Sequence, residues 1–137
     1  MSALPEARIP MQVTRETSSN NLIRVFEPGR VRIGERWFTS DLIVSADRIL
    51  GDWTLATPGR VTLDDLIPAI ELKPELLIVG AGMAPCIPDV DLMAALALRG
   101  IGLEFMQTAA ACRTYNVLVH EGRRVVAALV LLVAETC

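Results

Sequence analysis

The sequence predicts an α/β fold, with an antiparallel β layer in the N-terminal half followed by a C-terminal β-α-β-α-β unit. Three observations carry this. From Glu75 to Leu132, apolar strand-like runs alternate with helix-like segments with hardly a spare residue between them. Glycines at 80, 82, 100 and 122 punctuate that alternation where helices should start or stop. The first 55 or so residues instead break into short runs separated by turn pairs, the pattern of antiparallel strands.

Each element has its own signal. Residues 1–20 are polar and proline-containing, and a flexible N-terminal segment is expected there, with residues 21–137 forming one α/β domain. Asn21–Glu27 alternates weakly and reads as a strand that ends at the turn Pro28-Gly29. Arg30–Ile33, Gly34-Glu35 and Arg36–Thr39 read as a hairpin, and Asp41–Ser45 as a further short strand. After a turn at Thr57-Pro58-Gly59, Thr62 is placed to cap a short helix over Leu63–Ile70, with Asp64 and Asp65 in its first turn. Pro68 is expected to kink or end that helix early.

Leu76–Val79 is a strand leading into Gly80-Ala81-Gly82. Pro88 and Asp89 begin a helix that Gly100 stops, and Val90, Leu92, Met93, Leu96 and Ala97 share one broad apolar face of it. Ile101–Met106 is the next strand, parallel to its predecessor because a helix separates them. Thr108 is expected to N-cap a helix reaching about Glu121, Gly122 ends it, and Arg123–Val133 is the last strand.

Composition narrows the function. The 137 residues are 52% apolar but only 4% aromatic, which predicts an aliphatic core. The mean hydropathy of +0.42 is high for a small domain. A second copy or a partner covering apolar surface would account for it, and so would the continuous apolar strands of a buried parallel sheet. With 13 basic and 16 acidic residues the net charge is −3, and no large basic patch is visible, which disfavours nucleic acid. No apolar run is long enough to span a membrane. The N-terminus has no apolar core of the secretory kind, and Glu6 and Glu16 argue against a transit peptide, so a cytosolic protein is expected. Cys86, Cys112 and Cys137 are odd in number and form no CxxC pair, which argues against a disulfide framework or a zinc site.

Candidate site residues converge on one sheet edge. Two helix starts, near Asp89 and Thr108, should lie where the strands Leu76–Val79 and Ile101–Met106 end, the usual ligand crevice of open α/β sheets. Amides of Gly80, Ala81 and Gly82, with the helix start at Thr108, would suit an anionic group. GAGMAP approaches the dinucleotide pattern GxGxxG, with Glu104 22 residues beyond Gly82, but Pro85 replaces the third glycine; a plain strand-to-helix turn explains the same residues. On the helix after Thr108, Arg113, Asn116 and His120 fall within an arc of about 60°. Arg113 would pair with an anionic ligand or partner and Asn116 would hydrogen-bond the same group, unless the stripe is simply a solvated face.

Catalytic chemistry finds little support. Cys112 and His120, the sole histidine, are eight residues apart on one helix, about 12 Å by its rise, far beyond hydrogen-bond reach. A serine triad lacks a base for the same reason. Asp64, Asp65, Asp89 and Asp91 sit at helix starts, and no group of residues has metal-ligand spacing. No catalytic residue, metal or cofactor is therefore expected.

The runs LLIVGAG, RGIGLEFMQT, AACRTYN and HEGRRVVAAL, with VRIGERWFTSDLIVS and Trp53 upstream, resemble the domain family that contains the mitochondrial complex I assembly factor three. That family also includes the adipogenesis-associated Mth-domain protein and many small bacterial proteins of unassigned function. The likeness runs over nearly all of the chain after residue 20, and Thr114-Tyr115-Asn116 and Glu121-Gly122-Arg123 are its most specific parts. The resemblance implies a single three-layer domain with a mixed central sheet and no established catalytic residues; with no transit peptide expected, a bacterial member of the family is expected. It favours a non-enzymatic protein-binding or assembly module, with a link to respiratory-complex or membrane-protein biogenesis as the expected setting. The alternative is a protein or enzyme that takes a small anionic ligand or nucleotide at the Gly80–Gly82 edge. A protein partner is expected on the first reading, and a homo-oligomer is the remaining possibility.

Overall fold

The computed structural model describes residues 20–57, 59–82 and 89–131. Their elements are β1 (Ile23–Glu27), β2 (Arg30–Ile33), β3 (Arg36–Phe38), β4 (Leu42–Ser45), β5 (Ile49–Leu50), α1 (Leu63–Ile70), β6 (Leu76–Gly80), α2 (Val90–Leu98), β7 (Gly102–Met106), α3 (Thr108–His120) and β8 (Val125–Leu129). The expected flexible segment, the helix start at Pro88 and the end of the last strand lie outside the described residues.

Two sheets form. β1, β2 and β3 pair in sequence order as an antiparallel meander. The central sheet is mixed, in the order β5-β4-β8-β6-β7. β6 runs parallel to both β7 and β8, while β4 runs antiparallel to β8 and to β5. The expected N-terminal antiparallel layer is present as β1–β3, and the expected mixed central sheet takes up the two further strands of that half. β4 and β5 leave the meander and complete the central sheet, because β4 reads LIVS with all four residues buried and needs cover on both faces.

The central strands alternate between two cores. Leu42, Val44, Ile78, Val125, Ala127 and Leu129 point to the side covered by α3 and the meander. Ile43, Leu77, Val79, Val126 and Ala128 point to the side of Trp53, α1 and α2. The result is three layers, with the mixed sheet in the middle.

Local chemistry explains the helices. Thr62 caps α1 as expected: its Oγ1 accepts from Asp65 N at 3.3 Å, and Asp65 Oδ2 accepts from Thr62 N at 2.9 Å, a capping box. Pro68 does not end α1, which continues to Ile70. The helix is only eight residues long, so proline removes a single backbone donor and the sheet-facing residues Leu66 and Ala69 still hold the last turn down. In α2 the broad apolar face is not buried as a unit. Leu92 and Leu96 face the core, but Val90 is 76% exposed, Met93 45% and Leu98 89%.

Candidate functional site

The residues predicted at the Gly80 edge do meet, as a buried lock. Ala81, Gly82 and Thr108 are all buried, and Thr108 N donates to Gly82 O at 2.9 Å. Thr108 does not N-cap α3; Gln107 holds that position without a side-chain bond. Instead Thr108 Oγ1 accepts from Gly82 N and donates to Val130 O, each at 2.8 Å, joining three segments through one hydroxyl. Val130 N in turn donates to Gly80 O at 2.8 Å. Gly80 is glycine because α3 comes so close: a Cβ there would lie 3.0 Å from Ala111 Cβ and 3.1 Å from Thr108 Cα. The donors offered to an anion are engaged, since Ala81 N bonds Met106 O at 2.9 Å and Gly82 N bonds Thr108. Glu104 is exposed on β7.

Asn116 and Arg113 separate in role. Asn116 Oδ1 accepts from Ile23 N at 2.9 Å, and its Nδ2 donates to Ile23 O at 2.8 Å. The amide behaves like a neighbouring strand at the outer edge of β1 and fastens the meander to α3. Tyr115, fully buried, adds a bond from its hydroxyl to Asn21 O at 2.7 Å. Arg113 is exposed beside a groove of about 420 Å³ between α3 and β1, lined also by Arg24, Phe26 and Ala109. His120 lies in a neighbouring hollow with Val117 and Glu121.

Cys112 is buried against this core, and desolvation pushes its thiol up to about 12, so it stays protonated. Among the described residues no three His, Cys, Asp or Glu side chains are grouped to hold a metal ion.

Sequence reasoning missed three features. A concavity of about 580 Å³ lies on the other face of the sheet, between β5, Trp53 and α1, with Asp52 and Asp64 in its lining. It is held open by Asp65, whose carboxylate accepts from Ala56 N at 3.0 Å and from Thr62, while its carbonyl accepts from Trp53 Nε1 at 2.7 Å. The buried Asp41 accepts from Leu131 N at 2.8 Å and Thr54 Oγ1 at 3.2 Å, bonds no local pattern foretells. The third is an arginine-rich face: Arg30, Arg32 and Trp37, spread over two strands, share the outer side of the meander.

Comparison with known proteins places this geometry. A solution structure of a Bordetella pertussis protein described as a Mth938-like domain superposes with a TM-score of 0.74 at 26% identity, covering 88% of this chain and 91% of that one. The human NADH dehydrogenase [ubiquinone] 1 alpha subcomplex assembly factor 3 is 30% identical over 100 residues, 64% of this chain and 54% of that protein. A 13 kDa major membrane protein of Francisella tularensis is 38% identical over 61 residues, 44% of this chain and 48% of that protein. The chain thus spans about half the length of these curated relatives. No helix among the described residues is long and apolar enough to cross a membrane. Residues 23–130 match the family described as "Protein of unknown function (DUF498/DUF598)", and the chain belongs to that family.

Proposed function

We propose that this protein is a cytoplasmic, non-enzymatic binding module that holds a partner protein through α2 during assembly of a larger complex. The observation that carries this reading is the outer side of α2. Eight of the nine residues in VDLMAALAL are apolar, yet only Leu92 and Leu96 are buried. A helix that is apolar all round belongs in an interior, so its uncovered side calls for a second surface. The occupant is a different protein with an apolar face, as the relative named as an assembly factor suggests. A second copy joined edge to edge fits poorly. Glu104 is the middle residue of β7, which pairs only with β6 among the described residues, and two-fold antiparallel pairing about it would oppose Glu104 with itself.

Arg113 supplies a second, charged contact on the opposite layer. Gly80, Ala81, Gly82, Thr108 and Asn116 are the frame that sets α3, and with it Arg113, in position. The competing reading, a small anion or nucleotide at the Gly80 edge, has its amide donors already committed.

The test is capture of tagged protein from its host under mild crosslinking, comparing the parent with Leu98→Glu and with Arg113→Glu. Both substitutions lie at exposed positions and should leave the melting temperature within about 2 °C. Loss of the captured protein with Leu98→Glu supports the reading. Unchanged capture with both variants contradicts it.

A further inference from the structure

We infer that the free edge of β7 takes an added β-strand, an extended segment that sets a basic side chain beside Glu104. The segment belongs to the partner assigned to α2 and, resting on that reading, to a protein other than this chain.

Hydrogen-bond register defines what the edge offers. β7 pairs in parallel with β6, and in such a pair alternate residues bond the neighbour. Gly102 N donates to Glu75 O at 3.0 Å, and Met106 O accepts from Ala81 N at 2.9 Å. Gly102, Glu104 and Met106 therefore turn their backbone groups to β6. The N–H and C=O groups of Leu103 and Phe105 point the other way, where no strand meets them among the described residues. An apolar surface accepts many kinds of cover, but a row of backbone donors and acceptors specifies an extended chain.

The two edges of the central sheet differ. β5, at one edge, has two residues, Ile49–Leu50, too short to template a strand. β7, at the other, has five, GLEFM, in unbroken register with β6. It carries no proline, no lysine and no bulge, which are common devices for blunting an edge. α2 packs on β7, with Leu103 and Phe105 half-buried against the core that holds Leu92 and Leu96. The open edge and the uncovered helix thus lie at the same margin of the sheet, where one partner can engage both.

Glu104 sets the charge of the occupant. It is exposed at the middle of the strand and has no ion pair among the described residues. Its side chain alternates to the face opposite Leu103 and Phe105. An incoming strand therefore puts apolar residues beside Leu103 and Phe105 and a lysine or arginine beside Glu104, a favourable cross-strand pair. An acidic residue at that position is repelled.

The test uses the full chain and nuclear magnetic resonance. The probe is a short peptide of alternating valine and lysine, read at the backbone amides of Leu103 and Phe105. In the free chain both amides should exchange quickly with solvent. With peptide both signals should move saturably, and their exchange should slow. Glu104→Lys changes an exposed position and should weaken binding about threefold or more, while favouring a valine–glutamate peptide. The lysine peptide with an N-methylated backbone keeps its charges but cannot add to an edge, and should not bind. The proposal is overturned if millimolar peptide moves neither signal, if the N-methylated peptide binds equally, or if Glu104→Lys binds the lysine peptide as the parent does. It is also overturned if both amides are protected in the free chain at every concentration, which assigns the edge to a segment of this chain. Protection that grows with the chain's own concentration overturns it too, by assigning the edge to a second copy. Loss of capture with Leu98→Glu reads the α2 partner separately, so the edge can fail while α2 stands, and the reverse.

Discussion

Asn116 gives both halves of its amide to the backbone of one residue, Ile23, across 93 positions of sequence. This is a side chain standing in for a β-strand. It closes the outer edge of β1 at that point, where an unpaired strand edge would otherwise be open to solvent or to another chain.

Replacing Asn116 with Ala should therefore destabilise the protein by about 1–3 kcal/mol, since two half-buried backbone groups lose their partners. Urea unfolding monitored by circular dichroism measures this. Asn116→Asp should fall between, because it keeps the acceptor for Ile23 N and loses the donor to Ile23 O. An Asn116→Ala midpoint equal to the parent's would show the bonds to be dispensable.

Thr108→Val keeps shape and removes the hydroxyl that bridges Gly82 N and Val130 O. Each buried backbone group left unpaired costs about 1–3 kcal/mol, so the loss should exceed that of an ordinary surface change several-fold. Thr108→Ser restores the hydroxyl and should recover most of it. Thermal melts of the three proteins decide the matter.

Gly80→Ala tests the close approach of α3. The added methyl meets Ala111 Cβ and Thr108 Cα at 3.0 and 3.1 Å, so the helix start must shift. We expect a loss of about 1–3 kcal/mol from overpacking. Ala111→Gly in the same chain should relieve part of it, a coupling that a double-mutant cycle reads directly.

Burial makes the alkaline side of the stability profile steep. Desolvation pushes Cys112 up to about 12 and raises Tyr115 as well, so both stay protonated in the folded state. Unfolded, the thiol ionises near 9.0 and the phenol near 10.0. The folded chain then holds protons that the unfolded chain releases, so stability is full below pH 9 and falls as pH rises above it. Cys112→Ala should flatten the first part of that fall. In a Cys86→Ser, Cys137→Ser background, Ellman's reagent should label Cys112 only as fast as the protein opens.

At the acid end, Glu75 accepts from Arg124 N at 3.1 Å and pairs with Arg123 Nε at 2.9 Å, which holds its carboxyl below the usual value, the backbone bond first. Its contribution is present at neutral pH and is lost as pH falls through the folded value. Glu75→Gln should reduce the slope of stability against pH below pH 5 without changing it at pH 8. Parallel slopes for the two proteins would remove Glu75 from the acid response.

Local patterns were legible because their causes are local. Thr62 ahead of Leu63 predicts an N-cap, which the structure has as part of a capping box with Asp65, and Gly29, Gly34, Gly100 and Gly122 take the positive φ angles that their turns require. The strands of the β-α-β-α-β unit follow from apolar runs bounded by those turns. What was not legible depends on partners far away in sequence. Nothing near Asn116 reveals that Ile23 is its acceptor and donor, so the residue read as a free surface contact. Thr108 looked like a cap because threonine before a helix usually is one, whereas its partners are Gly82 and Val130. The sequence reading places Asp41–Ser45 in the N-terminal layer because the antiparallel mate of that strand, β8, lies more than 80 residues later. The exposed side of α2 is hidden by its own composition: with eight of nine residues apolar, the broad face from Val90 to Ala97 does not reveal that only Leu92 and Leu96 of it reach the sheet.

The central claim is that the uncovered side of α2 receives a different protein. A photo-crosslinking amino acid placed at Leu98, with Arg48 at the opposite edge of the central sheet as the distant control, tests it in the native host. The account predicts an adduct to another protein from position 98 and not from position 48. An adduct only to a second copy of this chain, or a complex that forms with crosslinks from position 48 alone, would contradict it.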